Sequence, residues 1–349
     1  MKLRLFGQPR LAVALLGLVA LLLWAVMLDI GWPWGLAVLP FAVFYLGLFA
    51  VSAWALLRLQ SLERWADWKT PHRLLILAPH EDDCVISAGG VGPRNHALGG
   101  VTRIVYLAPE DDPAMAARRA DETRAAWRLA GLADGDLEHL DLLPRLRQRD
   151  PQKLRAAGIA LRAIIDAFRP TAIIVPMFEG GHVQHDMLAG LVGRILKPDE
   201  PIELFEAPEY SPFTSLAFTP HRVLTLTARW LFGFVSYYGP PDGIDGRPVL
   251  KFRLTADELA RKRRMLGAFV SQNAPSLMET RAYPDRLVRW TPGTLRRRPF
   301  EIRGSYLSLA LAARRVLPAA LVNRLLPGES GTLGREPGLT DWDAEYGAQ

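Results

Sequence analysis

An apolar run leads directly into a charged loop at residues 74–83, which read LLILAPHEDD. Residues 74–78 have the length and composition of a buried strand, so the charged residues stand at its carboxyl end. A second apolar run, 172–175, leads into residues 178–186, which read FEGGHVQHD. Because the carboxyl ends of parallel strands meet at one edge of a sheet, we expect the two loops to form one site.

Strands and helices alternate over the central part of the chain. Apolar runs predict strands at 74–78, 101–107, 137–140, 171–175 and 202–205. Helical patterns separate them, with one helix ending near residue 98 and others at 113–129, 151–168 and 186–196; a basic helix follows at 255–270. This order predicts an α/β fold with a doubly wound, mostly parallel sheet.

Composition sets broad limits on the protein class. The chain has 349 residues, of which 50% are hydrophobic, so it has enough core-forming residues for one large domain or two smaller ones. Its single cysteine, Cys84, excludes a disulfide within the chain. The net charge of +6 is compatible with a nucleic acid, an anionic membrane surface or an anionic substrate as the partner.

The first seventy residues favour the membrane. Residues 11–28 and 35–57 contain no charged residue, and each run is long enough to cross a bilayer as a helix. A cleaved signal peptide would have a shorter apolar run and a small-residue cleavage pattern. Basic residues flank the pair on both outer sides, so the positive-inside rule predicts that both ends, and everything after residue 57, are cytoplasmic.

These patterns divide the chain into three parts. Residues 1–70 are predicted to be a two-helix transmembrane hairpin, 71–305 the α/β domain that contains both loops, and 306–349 an amphipathic segment with a polar tail. Residues 223–238 are apolar enough to lie against a membrane or to line a substrate groove. Basic runs at 261–264 and 296–298 leave nucleic-acid binding as an alternative, although solvated helix faces are the usual role of such runs.

The two loops contain the ligands of a catalytic metal site. His80 and Asp83 are three residues apart, so a helix beginning at the loop would direct both side chains to one point. His185 from the second loop would complete a set of two histidines and one carboxylate, which leaves a coordination position open for water. Zinc is the expected ion, and Fe²⁺ is an alternative because this ligand set does not select one metal.

The neighbouring residues have the chemistry of a hydrolase. Asp82 could take a proton from the attacking water, and His182 could stabilise the oxyanion. Gly180 and Gly181 would let the backbone approach a substrate closely. Each feature also has a simpler interpretation: an Asp-Asp pair after a strand can cap a helix, and a His-x-x-His pair can lie on a surface. Cys84 is a small buried residue or, alternatively, a thiol nucleophile.

The two loops resemble the signatures of a known family. PHEDDC at 79–84 and GGHVQHD at 180–186 are similar to the P-H-P-D-D-E and H-x-x-H motifs of PIG-L/LmbE-like N-acetylglucosamine deacetylases. Weaker similarity lies in RADE at 119–122, which resembles the family's R-x-x-E helix, and in Ser271-Gln272. The resemblance spans about residues 72 to 275.

The resemblance implies a Rossmann-like fold and hydrolysis of an N-acetyl group on a substrate that contains GlcNAc. It implies zinc bound by His80, Asp83 and His185, with Asp82 as base and then acid, His182 as oxyanion stabiliser and Arg119 as a substrate contact. Glu81 replaces the family's proline and Cys84 its glutamate, and both departures leave the ligands in place. For the acidic residue that supports the second histidine, Asp141 is a candidate.

We therefore predict a membrane-anchored, zinc-dependent deacetylase that acts on an amino sugar, with a lipid-linked substrate suggested by the anchor and the excess of arginine. The alternative from another class is an inactive membrane scaffold that keeps the fold, which the loss of glutamate at position 84 motivates. Nucleic-acid binding is not expected. It would require salt-sensitive binding to unrelated DNA or RNA.

Overall fold

The computed structural model describes residues 9–144, 150–177, 182–209 and 248–293, together with Pro318. Several predicted features lie outside these ranges: the apolar segment 223–238, the basic run 296–298, and nearly all of the amphipathic segment and tail at 306–349. Gly180 and Gly181, for which close approach to substrate is predicted, also lie outside the described residues.

The chain begins with two packed apolar helices, α1 (Pro9–Ile30) and α2 (Gly35–Leu62). They approach closely at Gly17, where an added Cβ would lie 2.9 Å from the ring of Phe49. Val13–Ile30 within α1 has a mean hydropathy of 2.6 and is long enough to cross a bilayer, by length and composition alone. The apolar part of α2, Gly35–Ala50, is shorter. Among the described residues there is thus one candidate span, and the second stays a prediction.

Eight described strands form one sheet in the order β1-β7-β8-β6-β5-β2-β3-β4. Their bounds are β1 Glu63–Ala66, β2 Arg73–Ala78, β3 Val101–Tyr106, β4 Leu137–His139, β5 Ala172–Pro176, β6 Glu203–Ala207, β7 Val249–Phe252 and β8 Arg286–Trp290. The structure confirms the five predicted strands, β2 to β6, to within one or two residues at most ends. It adds β1, β7 and β8, which the apolar pattern did not predict.

The sheet is mixed but mainly parallel. The pairs β1–β7, β2–β3, β2–β5, β3–β4 and β5–β6 are parallel. Among the described strands, only β8 runs antiparallel to its neighbours, β6 and β7. Strand β1 lies inside the range 1–70 that was predicted as the anchor, and its pairing with β7 means that the sheet begins before residue 71.

Helices cover both faces of the sheet, because alternate residues of each strand point to opposite faces. Leu75 and Leu77 face a core that includes residues of α6 (Pro151–Phe168) and α7 (Val183–Ile195). Leu74 and Ile76 face a second core, which includes residues of five other helices: α3 (Asp83–Ala88), α4 (Val91–Ala97), α5 (Pro113–Arg128), α8 (Ala256–Gly267) and α9 (Ala274–Thr280). Strands buried on both faces explain the continuous apolar runs of the sequence.

The helix predicted to end near residue 98 is two helices, α3 and α4, which are separated at Gly89 and Gly90. Asp285 explains the break: its Oδ2 accepts hydrogen bonds from the N–H groups of Gly90 and Val91, at 2.8 and 2.6 Å. A Cβ on Gly90 would lie 2.6 Å from the side chain of Leu254. The chain therefore restarts a helix where a buried carboxylate satisfies its first N–H groups.

Candidate metal centre and active site

The loop after β2 directs its acidic side chains away from helix capping. Asp82 stands at the N-cap position of α3, yet its side chain makes no capping hydrogen bond. Asp83 is the first residue of α3, and its Oδ2 accepts a hydrogen bond from the backbone N–H of His80 at 3.0 Å. The capping interpretation of this Asp-Asp pair is therefore wrong for Asp82, whose carboxylate remains available.

The carboxylate of Asp83 joins the two loops. Its Oδ2 lies 3.0 Å from Nδ1 of His80 and 3.1 Å from Nε2 of His185. Asp83 is 6% exposed and His185 3% exposed, so the contact is shielded from solvent. The structure thus brings together the three side chains for which metal ligation is predicted, one from the end of β2, one from α3 and one from α7.

The donor set fits a divalent cation. Tetrahedral zinc with bonds near 2.0–2.1 Å separates neighbouring ligand atoms by about 3.3 Å, so the observed distances need to open by only a few tenths of an ångström. Candidate ligand atoms of His80, His182 and His185 all lie within 4.8 Å of one another, as do those of Asp83, His185 and Glu209. Both sets include His185, and imidazole with carboxylate suits zinc or iron.

Two further residues lie beside the ring nitrogens of the histidines, and sequence reasoning missed both. Gln184 accepts a hydrogen bond from Nε2 of His80 at 2.8 Å, and Nδ1 of the same ring faces Asp83. Glu209 lies 3.7 Å from Nδ1 of His185, whereas the candidate Asp141 forms an ion pair with Lys153 at 2.9 Å. Such partners fix the orientation of metal-binding imidazoles. Glu209 follows β6 as His80 follows β2, and that repeated pattern could have identified it.

Electrostatics in the site push the pKa values of neighbouring groups apart. Burial alone would lower the pKa of His80, but the hydrogen bond and charge of Asp83 raise it to about 9. Burial alone would raise the pKa of Asp83, but the charge and hydrogen bond of His185, together with His80, hold it well below its usual value. Burial and the nearby charge of Asp83 raise the pKa of Glu209 well above its usual value.

The two residues predicted to take part in catalysis have shifted pKa values as well. Burial, together with the negative charge of Asp83, raises the pKa of Asp82 to about 7. Burial, with the charges of His185 and His80, lowers the pKa of His182 to about 3, so this imidazole is neutral. Its ring centre lies 4.9 Å from those of His80 and His185. No described residue forms a hydrogen bond with its buried Nδ1.

Arg119, the predicted substrate contact, lies on α5 beside the same loop. Its Nη1 is 2.9 Å from Oε2 of Glu110 and 3.9 Å from Oε2 of Glu81. Glu81, the residue at the family's proline position, also accepts a hydrogen bond from Nε2 of Gln272 at 3.0 Å. Burial raises the pKa of Glu81. The R-x-x-E helix and the Ser-Gln segment are therefore both connected to the metal-binding loop.

Cys84 points away from the ligands. Its Sγ lies 2.8 Å from the hydroxyl of Tyr106 and accepts a hydrogen bond from Nε1 of Trp127 at 3.2 Å, and the residue is fully buried. Burial raises the pKa of this thiol, so it is protonated and unreactive. The position that departs from the family's glutamate is thus part of the core, as its small-residue interpretation predicts, and takes no ligand from the site.

Residues 75–196 match a family profile described as PIG-L: GlcNAc-PI de-N-acetylase. The chain is also 30% identical, over 155 residues, to 2'-N-acetylparomamine deacetylase of Streptomyces fradiae. That alignment covers 38% of this chain and 55% of the relative, so the chain spans about half the length of the curated relative it matches.

Among solved structures, the chain matches the deacetylase of A40926 pseudoaglycone, which is 17% identical, covers 64% of this chain and 97% of its own, and has a TM-score of 0.36. The N,N'-diacetylchitobiose deacetylase of Pyrococcus horikoshii is 14% identical, covers 65% of this chain and 88% of its own, and has a TM-score of 0.34. TM-scores of this size do not establish a shared fold. The family assignment comes from the profile: residues 75–196, which contain all six predicted site residues, are a PIG-L family domain.

Proposed function

We propose that this protein is a membrane-anchored, metal-dependent deacetylase that hydrolyses the N-acetyl group of a GlcNAc-type amino sugar carried on a lipid. The observation that carries the proposal is the convergence of His80 and His185 on Oδ2 of Asp83, at 3.0 and 3.1 Å. Asp82, next to this point, has a pKa near 7 and no capping role. The PIG-L profile over residues 75–196 supports the same chemistry.

His80, Asp83 and His185 would hold the cation, through Nδ1, Oδ2 and Nε2. A bound zinc ion supplies Lewis acidity to the amide carbonyl and to the attacking water, and Fe²⁺ could serve in the same way. Gln184 fixes the ring of His80 from its other nitrogen, and Glu209 lies on the corresponding side of His185. The ligands are thus held in place before a substrate arrives.

Asp82 moves the proton that the reaction requires. As a base it takes a proton from water while the water oxygen bonds to the carbonyl carbon. As an acid it returns that proton to the sugar nitrogen, the C–N bond breaks, and acetate and a free amine leave. A carboxyl group with a pKa near 7 can do both at neutral pH, because each form is well populated.

His182 provides a neutral hydrogen-bond donor for the oxyanion. Its low pKa keeps one ring nitrogen protonated and the ring uncharged, and its Nδ1 has no hydrogen-bond partner among the described residues. A preformed donor at the developing negative charge stabilises the tetrahedral intermediate more than it stabilises the ground state. Loss of such a donor costs about 10²–10³-fold in kcat.

The membrane part of the proposal is supported by α1, whose Val13–Ile30 window is apolar and only 17% buried. Large side chains on its surface, such as Leu21 and Leu22, are more than half exposed. If α2 also spans the bilayer, as its apolar run predicts, the positive-inside rule would put the catalytic domain in the cytoplasm. A substrate on a lipid would explain why a hydrolase is anchored beside the bilayer, and the name of the Streptomyces fradiae relative supports an N-acetyl group as the target.

Acetate release tests the reaction. We expect the purified full-length protein, loaded with zinc, to release acetate from N-acetylglucosamine conjugates, and to stop when a chelator removes the metal. An Asp82→Asn variant should bind metal and release acetate at a small fraction of the wild-type rate. If Asp82→Asn released acetate as fast as wild type, Asp82 would not be the base. If neither protein released acetate from any conjugate, an inactive scaffold would be the better account.

Substrate delivery tests the lipid linkage. A variant that begins at residue 63 lacks α1 and α2 but keeps all eight described strands. We expect it to retain activity on short soluble conjugates and to lose most of its activity on lipid-linked conjugates in vesicles. Equal losses on both substrates would argue that the N-terminal helices have only a structural role.

A further inference from the structure

A carboxylate of the metal-binding loop, that of Glu81, forms a long ion pair with the predicted substrate arginine, Arg119. Glu81 is only 8% exposed although it stands between His80 and Asp82 in the chain. Its Oε2 accepts a hydrogen bond from Gln272 at 3.0 Å and lies 3.9 Å from Nη1 of Arg119. Gln272 therefore holds the carboxylate in place beside the guanidinium.

The same guanidinium has a second acidic neighbour. Oε2 of Glu110 lies 2.9 Å from Nη1 of Arg119, so two carboxylates face one positive charge. We call Glu81, Glu110, Arg119 and Gln272 the Arg119 cluster, and its formal charge is −1. Glu122, also on α5, accepts hydrogen bonds from the backbone and hydroxyl of Ser271, at 2.8 and 2.6 Å, and is thus engaged elsewhere.

The Arg119 cluster is partly open to solvent. The side chains of Arg119 and Glu110 are 26% and 24% exposed, so a substrate group can reach them. Glu81 belongs to the loop that also carries His80 and Asp83, which places the cluster next to the reacting centre. A sugar whose N-acetyl group enters the metal site would therefore direct one of its other substituents to this cluster.

We propose that Glu81 is a specificity-determining residue that neutralises the positive charge of Arg119. This side of the active site then favours an uncharged or cationic substituent over a phosphate or carboxylate. An anion approaching Arg119 would meet two carboxylates, and like charges in close contact are strongly disfavoured. This inference rests on the proposed deacetylase function and deepens it. Among lipid-linked amino sugars, it favours hydroxyls or amines next to the sugar over a sugar phosphate.

The test uses three N-acetylglucosamine glycosides with the same short linker, which ends in an amine, a hydroxyl or a carboxylate. For the full-length zinc-loaded protein, kcat/KM is measured by acetate release and Kd by calorimetry. We expect the carboxylate glycoside to be at least about tenfold poorer than the hydroxyl glycoside in both. A wild-type protein that preferred the carboxylate would overturn the proposal without any variant.

The variant Glu81→Gln keeps the size of the side chain and removes its charge. We expect it to raise the ratio of kcat/KM for the carboxylate glycoside to kcat/KM for the hydroxyl glycoside by about tenfold. Glu81→Pro should shift the ratio in the same direction if Glu81→Gln folds poorly. Glu138→Gln is the matched control, because it removes one negative charge from the Arg103 pair, and its ratio should equal that of wild type.

The outcomes separate the two proposals. An unchanged ratio in both Glu81 variants would overturn the role of Glu81 even if deacetylation is confirmed. If no glycoside releases acetate, the deacetylase proposal fails, but the Kd ratios of wild type and variants still decide whether Glu81 selects against anions.

Discussion

Two clusters of buried charge among the described residues are built differently. In the first, Lys262 and Asp285 are both fully buried, and Nζ of the lysine donates to Asp285 at 2.6 Å and to the carbonyl of Ile86 at 2.8 Å. The other oxygen of Asp285 accepts from Gly90 and Val91. One cation meets one anion, and the remaining donors and acceptors are matched by backbone groups.

The second cluster, at the metal centre, has no such balance. The pKa of His80 is raised to about 9, that of Asp82 to about 7, and that of His182 is lowered to about 3. Three carboxyl groups and three imidazoles compete for protons where a single divalent cation could be shared. The comparison teaches that buried charge alone does not indicate function: the balanced cluster fastens α3 and α4 to α8, and the unbalanced one is suited to chemistry.

The largest expected effect is on catalysis at the unbalanced cluster. Asp82→Asn removes the proton acceptor but not a predicted ligand, so we expect kcat to fall by about 10²–10⁴-fold with the zinc content unchanged. Steady-state acetate release and metal analysis of the same sample measure both. A variant that lost its metal together with its activity would instead make Asp82 a ligand.

The balanced cluster should respond through stability. Lys262→Met leaves Asp285 buried without its partner and should lower the free energy of unfolding by about 3–5 kcal/mol. The double variant Lys262→Met with Asp285→Leu should recover much of that loss, because an apolar pair leaves no charge uncompensated. Denaturant unfolding of the full-length variants gives both values. A Lys262→Met protein as stable as wild type would contradict this role.

A smaller effect is expected where Glu209 supports His185. Glu209→Gln should weaken zinc binding by about 10–100-fold, as is usual for the partner of a metal-binding imidazole. Asp141→Asn is the control, since Asp141 pairs with Lys153 and should not change the affinity. Competition with a chelating indicator measures both constants. Equal affinity in wild type and Glu209→Gln would leave His185 without the proposed support.

The smallest effect concerns pH. Both ring nitrogens of His80 face acceptors, Asp83 and Gln184, so the ring is protonated below its pKa of about 9. Coordination needs the neutral ring, so zinc binding near pH 7 should release about one proton, and the apparent affinity should rise about tenfold per pH unit until the pH approaches that pKa. Calorimetry in buffers with different protonation enthalpies counts the proton. Affinity independent of pH would contradict it.

The pKa of His80 also predicts how the stability of the metal-free protein depends on pH. Its pKa is raised from 6.5 to about 9 in the folded protein, so the folded state binds the proton more tightly than the unfolded state does. The stabilisation of the folded state by this proton should be complete below pH 6.5 and should decline as the pH rises towards 9. A His80→Gln protein prepared without metal should lack that decline.

Much of the fold could be predicted because strands that are buried on both faces, such as β2 and β5, appear in the sequence as apolar runs. Helix α6 could be predicted because Asp150 caps its start and it ends before Pro170. Strands β1, β7 and β8 could not be predicted. They are short and carry charged residues, for example Arg64 and Arg289, and only pairing with distant strands makes them strands.

The candidate site, like the fold, could be predicted only in part. The spacing of His80 and Asp83, and their place after a strand, predicted their meeting with His185, because strand-end loops meet at one sheet edge. Glu209 was missed because its distance in sequence from His185 carries no periodic signal. Lys262 was assigned to a solvated basic run, but its side chain is fully buried, since only the three-dimensional structure brings Asp285 to it.

The central claim is that His80, Asp83 and His185 hold one divalent cation, and metal content tests it most directly. After zinc loading and removal of free metal, elemental analysis of the full-length protein should give about one zinc per chain, and Asp83→Asn should hold less than about one-tenth of that. A wild-type protein without metal that still releases acetate, or an Asp83→Asn protein with a full complement of zinc, would contradict the account.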